Sequence, residues 1–432
     1  MNLILRSTFI NIGSILIYLL PIVLLTGPFL PDLFISIIGL IFLSITINER
    51  KWAYYRNNFF YFFISAYLYL LASSLISEHS SLSLESSLFY FRFILFALGT
   101  WFLIDNNKNL IKFFTISLLL TFILCIFDGS YQFYHSGQFE SNLFGYQNIS
   151  PDRMTLVFND KQLLGGYLAR LLPLLFAVCI YSFPTNKKNL IIPAAILIAC
   201  DVITYGTGER TAIVLLFIAT LSIIALISKF KLLRVYTFFI GILIIFLITI
   251  FNSGIKERNI DKTLMQLGIF NDESLDIDDS LDTKENKLIF FSKQHESHYL
   301  TALNIFIDNK VFGSGPKTFR IYCSDEKYYI NKLGCSSHPH NTYIQILAET
   351  GIIGLLFILS LVSYLCFKTF KHIYNKEKFF NDYQVCLIVC FILTLFPFLP
   401  TQNFFNNWIN IIYYLPVGFY LHSIYSKNHI IK

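Results

Sequence analysis

Apolar stretches of about 20 residues recur along nearly the whole of this 432-residue sequence, and everything else is arranged around them. Each is long enough to cross a hydrocarbon layer as a helix. Within lipid a backbone must satisfy its own amides and carbonyls, so a lone stretch of this kind is expected to be helical. Twelve candidates can be delimited: Thr8–Leu25, Asp32–Ile47, Phe59–Ile76, Ser86–Ile104, Leu110–Phe127, Leu163–Tyr181, Leu190–Tyr205, Thr211–Ile227, Val235–Phe251, Gly351–Phe367, Val385–Phe398 and Trp408–His422. Charged residues make up 14% of the chain, against about 25% in soluble domains. The expected fold class is therefore all-α, a polytopic integral membrane protein of about twelve transmembrane helices. The first run lacks a small-residue cleavage site before Pro28 and leads straight into another span, so it is expected to stay as a helix. No soluble domain boundary and no internal repeat is evident.

The loops carry an alternating charge. Arg50, Lys51 and Arg56 follow the second span, and Lys108 and Lys112 surround the link after the fourth. Lys187 and Lys188 follow the sixth, and Lys229, Lys231 and Arg234 follow the eighth. Lys368, Lys371, Lys376 and Lys378 follow the tenth, and Lys427 and Lys432 close the chain. The intervening short loops, Thr26–Pro31, Glu78–Glu85 and Pro400–Asn407, contain neither lysine nor arginine. Basic connections stay in the cytoplasm, so both termini are expected inside. The net charge of +6 follows from these loops and needs no nucleic acid to explain it.

This orientation divides the chain into a bundle of about nine spans over 1–252, a large loop on the far side over 253–348, and about three spans over 349–432. In the loop, the run Asp272–Asp282 is acidic and reads as a solvated stretch. From His295 onward Tyr299, Ala302, Leu303 and Phe306 recur at helical spacing, and Gly313-Ser-Gly-Pro316 ends that helix. Six cysteines lie in apolar spans, but Cys323 and Cys335 share the polar loop, where a disulfide is expected if the loop lies outside the cytoplasm. The loop between the fifth and sixth spans adds Asp152, Arg153, Asp160 and Lys161 to the same side.

Chemistry can be sought in a few places. His338 and His340 flank Pro339 at the mouth of a membrane helix, and imidazole is the side chain that exchanges protons near neutral pH. Arg92 and Arg170 fall within spans, where a charge is costly and is a functional candidate by default. Arg210 occupies the short link Gly206-Thr-Gly-Glu-Arg-Thr-Ala212, where a guanidinium can grip a phosphate or diphosphate; the bland alternative is a salt bridge with Glu209. For Arg92, structural pairing or snorkelling is at least as good a reading. His295, His298, His338 and His340 could in principle supply four nitrogens to zinc, but His-Glu-Ser-His is not the metalloprotease spacing and no cysteine or carboxylate completes a ligand set. A phosphate-binding Gly-Lys-Ser/Thr loop and a dinucleotide fingerprint are absent, which removes support for nucleotide-driven chemistry.

With Gly208-Glu-Arg-Thr-Ala212, Phe312-Gly-Ser-Gly-Pro-Lys-Thr-Phe319, His338-Pro-His-Asn-Thr-Tyr343 and Glu349-Thr-Gly-Ile-Ile-Gly354, the chain resembles the O-antigen ligase family, whose superfamily includes O-antigen polymerases. The resemblance implies a glycosyltransferase without cofactor or metal. Its donor would be an oligosaccharide on undecaprenyl diphosphate, and its acceptor lipid A–core or a growing glycan. It would sit among membrane lipids of the bacterial inner membrane, with the active site facing the periplasm. By resemblance His340 corresponds to the essential loop histidine and Arg210 to the arginine that holds the donor diphosphate. The family often has a further arginine just before the loop helix, where this chain reads His295-Glu-Ser-His-Tyr299; His295, Arg320 and Arg170 are the candidates for that contact. Asn341, His338 and Glu349 would hold the imidazole or the sugar. The alternatives are a polymerase, a protein O-glycosyltransferase, or a lipid-linked glycan transporter, which should show an internal symmetry not visible here.

Overall fold

The structure, a computed structural model, describes residues 3–136, 154, 163–183, 191–266, 291–375 and 379–426. The acidic run 272–282, the charged residues at 152, 153, 160 and 161, and the lysines at 187, 188, 376, 378, 427 and 432 lie outside them. Among the described residues every regular element is helical: α1 (Leu3–Val23), α2 (Phe29–Asn48), α3 (Asn58–Ile76), α4 (Ser80–Ser87), α5 (Phe91–Asn106), α6 (Leu110–Ser136), α7 (Leu164–Ser182), α8 (Ile191–Gly206), α9 (Arg210–Leu226) and α10 (Lys231–Phe251). The short α11 (Ser253–Lys256) and α12 (Lys262–Gln266) follow, then α13 (Lys293–Asp308), α14 (Phe319–Tyr322), α15 (Thr342–Tyr374), α16 (Asp382–Thr394) and α17 (Asn407–Tyr425).

Each of the twelve candidate segments falls on a helix. Among the described residues eight helical runs are long and apolar enough to cross a membrane: α1, α2, α3, the run Ser80–Asn106 that joins α4 to α5, α6, α7, α10 and α15. α8, α9 and α16 are shorter apolar helices. The chain is thus an all-α, multi-pass membrane protein. The stretch expected as the loop Glu78–Glu85 is largely the helix α4, because Ser83 and Ser87 turn inward. There Ser87 Oγ donates to the Ser83 carbonyl at 2.9 Å and accepts from Ser74 Oγ of α3 at 2.7 Å.

Helix α7 is the centre of the bundle. Its side chains from Tyr167 to Cys179 are buried on every side, and it packs on α6, α8, α9 and α16. By contrast α3, α10 and the membrane part of α15 are apolar and largely exposed, as befits helices whose outer surface meets lipid. Lipid offers helices no hydrophobic drive toward one another, so small residues set the close approaches. A Cβ on Gly418 of α17 would lie 2.5 Å from Thr100 Cβ and 2.9 Å from the Ala97 carbonyl of α5.

Interactions sort the helix ends onto two sides of the bundle. On one, Arg6 reaches Glu49 at 2.7 Å and Asn106 at 2.6 Å, Tyr54 reaches Asp105 at 2.9 Å, and Asp382 accepts from the Ser228 and Lys229 amides at 2.8 Å. On the other, the carbonyls at the end of α1 are capped by Tyr167 Oη on Pro21 and Trp408 Nε1 on Leu24, each at 2.8 Å. Segment 291–341 belongs to this second side, where Ser73, Ser77 and Glu78 hold Phe312, Ser314 and Tyr322.

Two charges differ from what the sequence suggests. Arg234, read as a loop lysine-like charge, lies inside α10 and is fully buried. Its guanidinium grips both oxygens of Asp201 on α8, at 2.8 and 2.9 Å, and also donates to Thr220 of α9. A side chain long enough to reach back into the bundle finds a bidentate partner there, and that outweighs its position near the helix end. Arg92 pairs with Asp32 at 2.8 Å, which is the structural reading of that residue. Breaking a buried pair leaves one charge uncompensated. Arg234→Met alone is therefore expected to cost about 3–5 kcal/mol, with most of it recovered when Asp201→Leu is added. Melting of the detergent-solubilised single and double variants measures this; equal losses in both would mean the pair itself carries no weight.

Candidate functional site

The site begins with a turn whose backbone only glycine permits. Gly313 and Gly315 have φ of 72° and 111°, and Gly351 has φ of 66°. A Cβ on Gly351 would lie 2.2 Å from the Val311 carbonyl oxygen, and one on Gly313 would lie 2.3 Å from the Thr350 amide. Gly351 breaks α15, so that the helix that begins at Thr342 and the one that enters the membrane meet at an angle. The carbonyls and amides exposed by the break are taken up by the turn: Ser314 N donates to Ala348 O, Gly315 N to Glu349 O, and Ile352 N to Lys310 O.

Glu349 locks this joint. It is fully buried, and its carboxylate accepts from the Phe319 amide at 3.0 Å and from Gln345 Nε2 at 2.9 Å. Gln345 also donates to Asn403 at 3.0 Å and accepts from the Phe404 amide at 2.9 Å, tying in the segment before α17. Arg320, on α14, acts electrostatically on both Glu349 and His338. Beside it Lys317 is half-buried, and burial lowers its pKa while Glu85 and Glu349 oppose the shift.

A small core of Ala302, Ile305, Phe319, Tyr322, Cys323, Tyr328 and Ala348 holds α13, α14 and the start of α15 together. The buried stripe of α13 is His298, Tyr299, Thr301, Ala302 and Ile305; Leu303, expected on that stripe, is exposed with Leu300 and Ile307. Cys323 and Cys335 form the disulfide expected of them, closing the segment that leads into His338.

Pro339 restrains His338 to extended backbone and has no amide to donate. His340 then takes φ of 57°, a left-handed conformation that histidine adopts uncommonly. Such a residue is held at a cost of about 1–3 kcal/mol, so its surroundings must fix it. They do so: the His340 carbonyl accepts from Thr401 N at 2.8 Å, and Asn341 begins α15 as its N-cap. Asn341 Oδ1 accepts from the Tyr343 and Ile344 amides, and its Nδ2 donates to the Pro397 carbonyl at 2.9 Å. The amide is thus engaged in holding backbone. His338 Nε2 donates to the Thr401 carbonyl at 3.2 Å, which leaves Nδ1 to accept from Ser337 Oγ at 2.9 Å. His338 is therefore fixed as one tautomer.

Four imidazoles converge. His338 and His340 lie 4.1 Å apart between ring centroids, His298 stacks on His340 at 5.2 Å, and His295 lies 5.6 Å from His340. Ser292, the N-cap of α13, meets His295 Nδ1 at 2.7 Å. Burial, and then the neighbouring rings, push His298 down to about 4 and His340 to about 3. His338 falls to about 4 through burial, opposed by its bond to Thr401, while burial lowers His295. All four are neutral at pH 7. Among the described residues no group of three or more His, Cys, Asp or Glu is arranged to hold a metal ion.

The remaining candidates stand elsewhere at this end. Arg210 is the first residue of α9. Glu209 is not spent on it: its two oxygens accept from the Gly165 and Gly166 amides, at 2.7 and 3.0 Å, at the start of α7. Arg170 is buried in α7, its guanidinium 5.3 Å from the Tyr413 ring and 3.5 Å from the Leu393 carbonyl, apart from the imidazoles. His298 is the residue whose weight the sequence understates. His295-x-x-His298 spans one helical turn, which puts both rings on one face.

Two tests follow. Because all four imidazoles are neutral when folded and have an ordinary pKa of 6.5 when unfolded, the unfolded chain binds more protons between these values. Stability contributed by keeping them neutral is complete above pH 6.5 and falls as pH drops toward about 4. The melting temperature of the solubilised protein should therefore decline over that window, and decline less in His298→Phe. Separately, Cys323→Ser with Cys335→Ser should cost roughly 3 kcal/mol through the lost loop constraint, measured as a lower melting temperature; melting unchanged from wild type would contradict a bridge.

Compared with known protein families, residues 193–359 match the family model described as O-Antigen ligase. No curated protein matches the chain. The matched stretch runs from α8 through the first turns of the membrane part of α15 and includes Arg210 and all four histidines.

Proposed function

From a chain that belongs, through residues 193–359, to the O-antigen ligase/polymerase superfamily, we propose a ligase that moves a glycan from undecaprenyl diphosphate to lipid A–core. The observation that carries this reading is His340: neutral, half-buried, and held in a left-handed backbone at the mouth of the bundle. Arg50, Phe291 and Lys317 share that sign of φ, but His340 is the one whose side chain joins the imidazole cluster, which makes its strain a functional candidate.

In this reading residues 1–252 and 349–432 form the membrane bundle and 253–348 the periplasmic loop, with both termini in the cytoplasm of a bacterial inner-membrane protein. The acceptor hydroxyl gives its proton to His340 as its oxygen bonds to the anomeric carbon. The bond from that carbon to the diphosphate oxygen breaks, and undecaprenyl diphosphate leaves with the electron pair. Attack from the opposite face inverts the centre. Arg210 neutralises the charge that grows on the departing diphosphate. His295, Arg320 or Arg170 supplies the second cationic or hydrogen-bonding contact. His338, Asn341 and Glu349 act by holding His340 and the joint beneath it.

The test is transfer by purified, solubilised protein offered an undecaprenyl-diphosphate oligosaccharide with lipid A–core, or with donor alone, in EDTA throughout. Wild type should transfer to lipid A–core, with His340→Ala and Arg210→Ala each slower by about 10²–10⁴. Full transfer by His340→Ala would sink the assignment of the base. Chain growth on donor alone would make the protein a polymerase, and donor binding without transfer to either would favour a transporter.

A further inference from the structure

His298 has no place in the transfer step just described, yet its imidazole is buried with both nitrogens unpartnered, as are the Tyr299 and Thr301 hydroxyls of the same helix. It is 1% exposed, and neither ring nitrogen has a hydrogen-bond partner among the described residues. A buried imidazole in that condition loses its hydration with nothing in exchange, which is rare in a folded chain unless something else is to be bound. Its ring stacks on that of His340, at 5.2 Å between centroids and 26° between planes, so the two belong to one place in the fold.

What would fill that space is indicated by what surrounds it. From α13 come His295 and His298, from the turn before α15 come His338 and His340, from α14 comes the charge of Arg320 on His338, and from the segment before α17 comes the Thr401 carbonyl, already taken by His338. Among the described residues no carboxylate raises the pKa of any of the four rings; the permanent charge acting on them is that of Arg320, on His338, and the rings oppose charge on one another. Two helices also start here. α13 begins at Ser292, one turn before His295, and α15 begins at Asn341, immediately after His340, so both turn their positive ends toward the rings. An anion would meet the Arg320 charge and the two helix N-termini, which a neutral sugar would not.

We propose that His298 is a direct contact to the anionic diphosphate of the donor, and that the histidine cluster takes up a proton when that anion enters. This rests on the glycan-transfer reading only for the identity of the anion. With a phosphate oxygen against His298, the charge that burial now forbids becomes favourable on that ring, which then donates a charge-assisted hydrogen bond. His340, across the stack, remains the neutral member of the pair and keeps its lone pair for the acceptor proton. One added proton thus separates two similar rings into a cation at the leaving group and a base at the nucleophile.

The test is titration calorimetry of the full, detergent-solubilised chain with farnesyl diphosphate at pH 7, in two buffers of different ionisation enthalpy, beside farnesol. Wild type should bind farnesyl diphosphate with proton uptake and tighten as pH falls from 8 to 6. His298→Phe, which keeps a flat ring, should lose that uptake and bind about tenfold more weakly, while melting near wild type. Equal heats in the two buffers for wild type would overturn the proposal without recourse to any variant, and so would undiminished binding by His298→Phe or no preference for farnesyl diphosphate over farnesol. The transfer assay separates the two readings. Transfer without proton uptake would sink the proton-linked contact alone, and proton-linked diphosphate binding without transfer would sink the ligase reading alone.

Discussion

The buried carboxylate of Glu349 is the interaction on which the rest of this end of the protein depends. A membrane helix cannot simply stop at a glycine, because the break exposes amides and carbonyls that must find partners. Here the partners are another turn of the same chain, and Glu349 holds that turn by the Phe319 amide while its neighbour Gln345 reaches Asn403. Three separate segments, 313–319, 342–350 and 403–404, are thereby fixed to one point. The short stretch from His338 to Asn341 runs between them and inherits their rigidity.

That rigidity explains how a left-handed histidine can persist. The backbone of His340 is tied by Thr401, its successor Asn341 is committed to the cap of α15 and to Pro397, and its predecessor Pro339 has little freedom of its own. Nothing comparable restrains the imidazole itself, which lies among other rings. The local design is thus a rigid main chain carrying a side chain that is left to respond to what enters. The same division of labour separates His338, whose two nitrogens are both engaged, from His298, whose nitrogens are not.

Much of this could be read from the sequence because lipid simplifies the problem. Where backbone must satisfy itself, length and apolarity decide the element: each of the twelve delimited segments overlaps helix, and eight helical runs among the described residues are long and apolar enough to span. The Gly-Ser-Gly-Pro turn, the loop helix and the pairing of Cys323 with Cys335 were legible for local reasons of conformation and spacing. What was not legible depended on long side chains and distant partners. Arg234 sits where a loop charge should be, but its reach to Asp201 spans two helices and leaves no local trace. Asn341, which the resemblance assigns to holding the imidazole or the sugar, is also the cap of α15, a role that an Asn immediately before a helix fills well. Leu303 fits the apolar spacing of α13, but the face that is buried is set by α14 and α15, which sequence spacing cannot place.

The histidine cluster shows why such a site cannot be judged residue by residue. An isolated imidazole near the membrane surface would titrate close to neutrality and could serve as either acid or base. Four together, buried or partly buried near two helix N-termini, lose their charge to burial first and to one another second, so each alone looks too weak a base to matter. The suppression is itself the useful property. A cluster kept neutral mainly by burial changes its charge when an anion binds beside it. Under the transfer proposed above, coupling of this kind would tie the strength of the base to the presence of the leaving group, so that an acceptor is deprotonated only after a donor has arrived, an order that would keep water from intercepting an activated sugar.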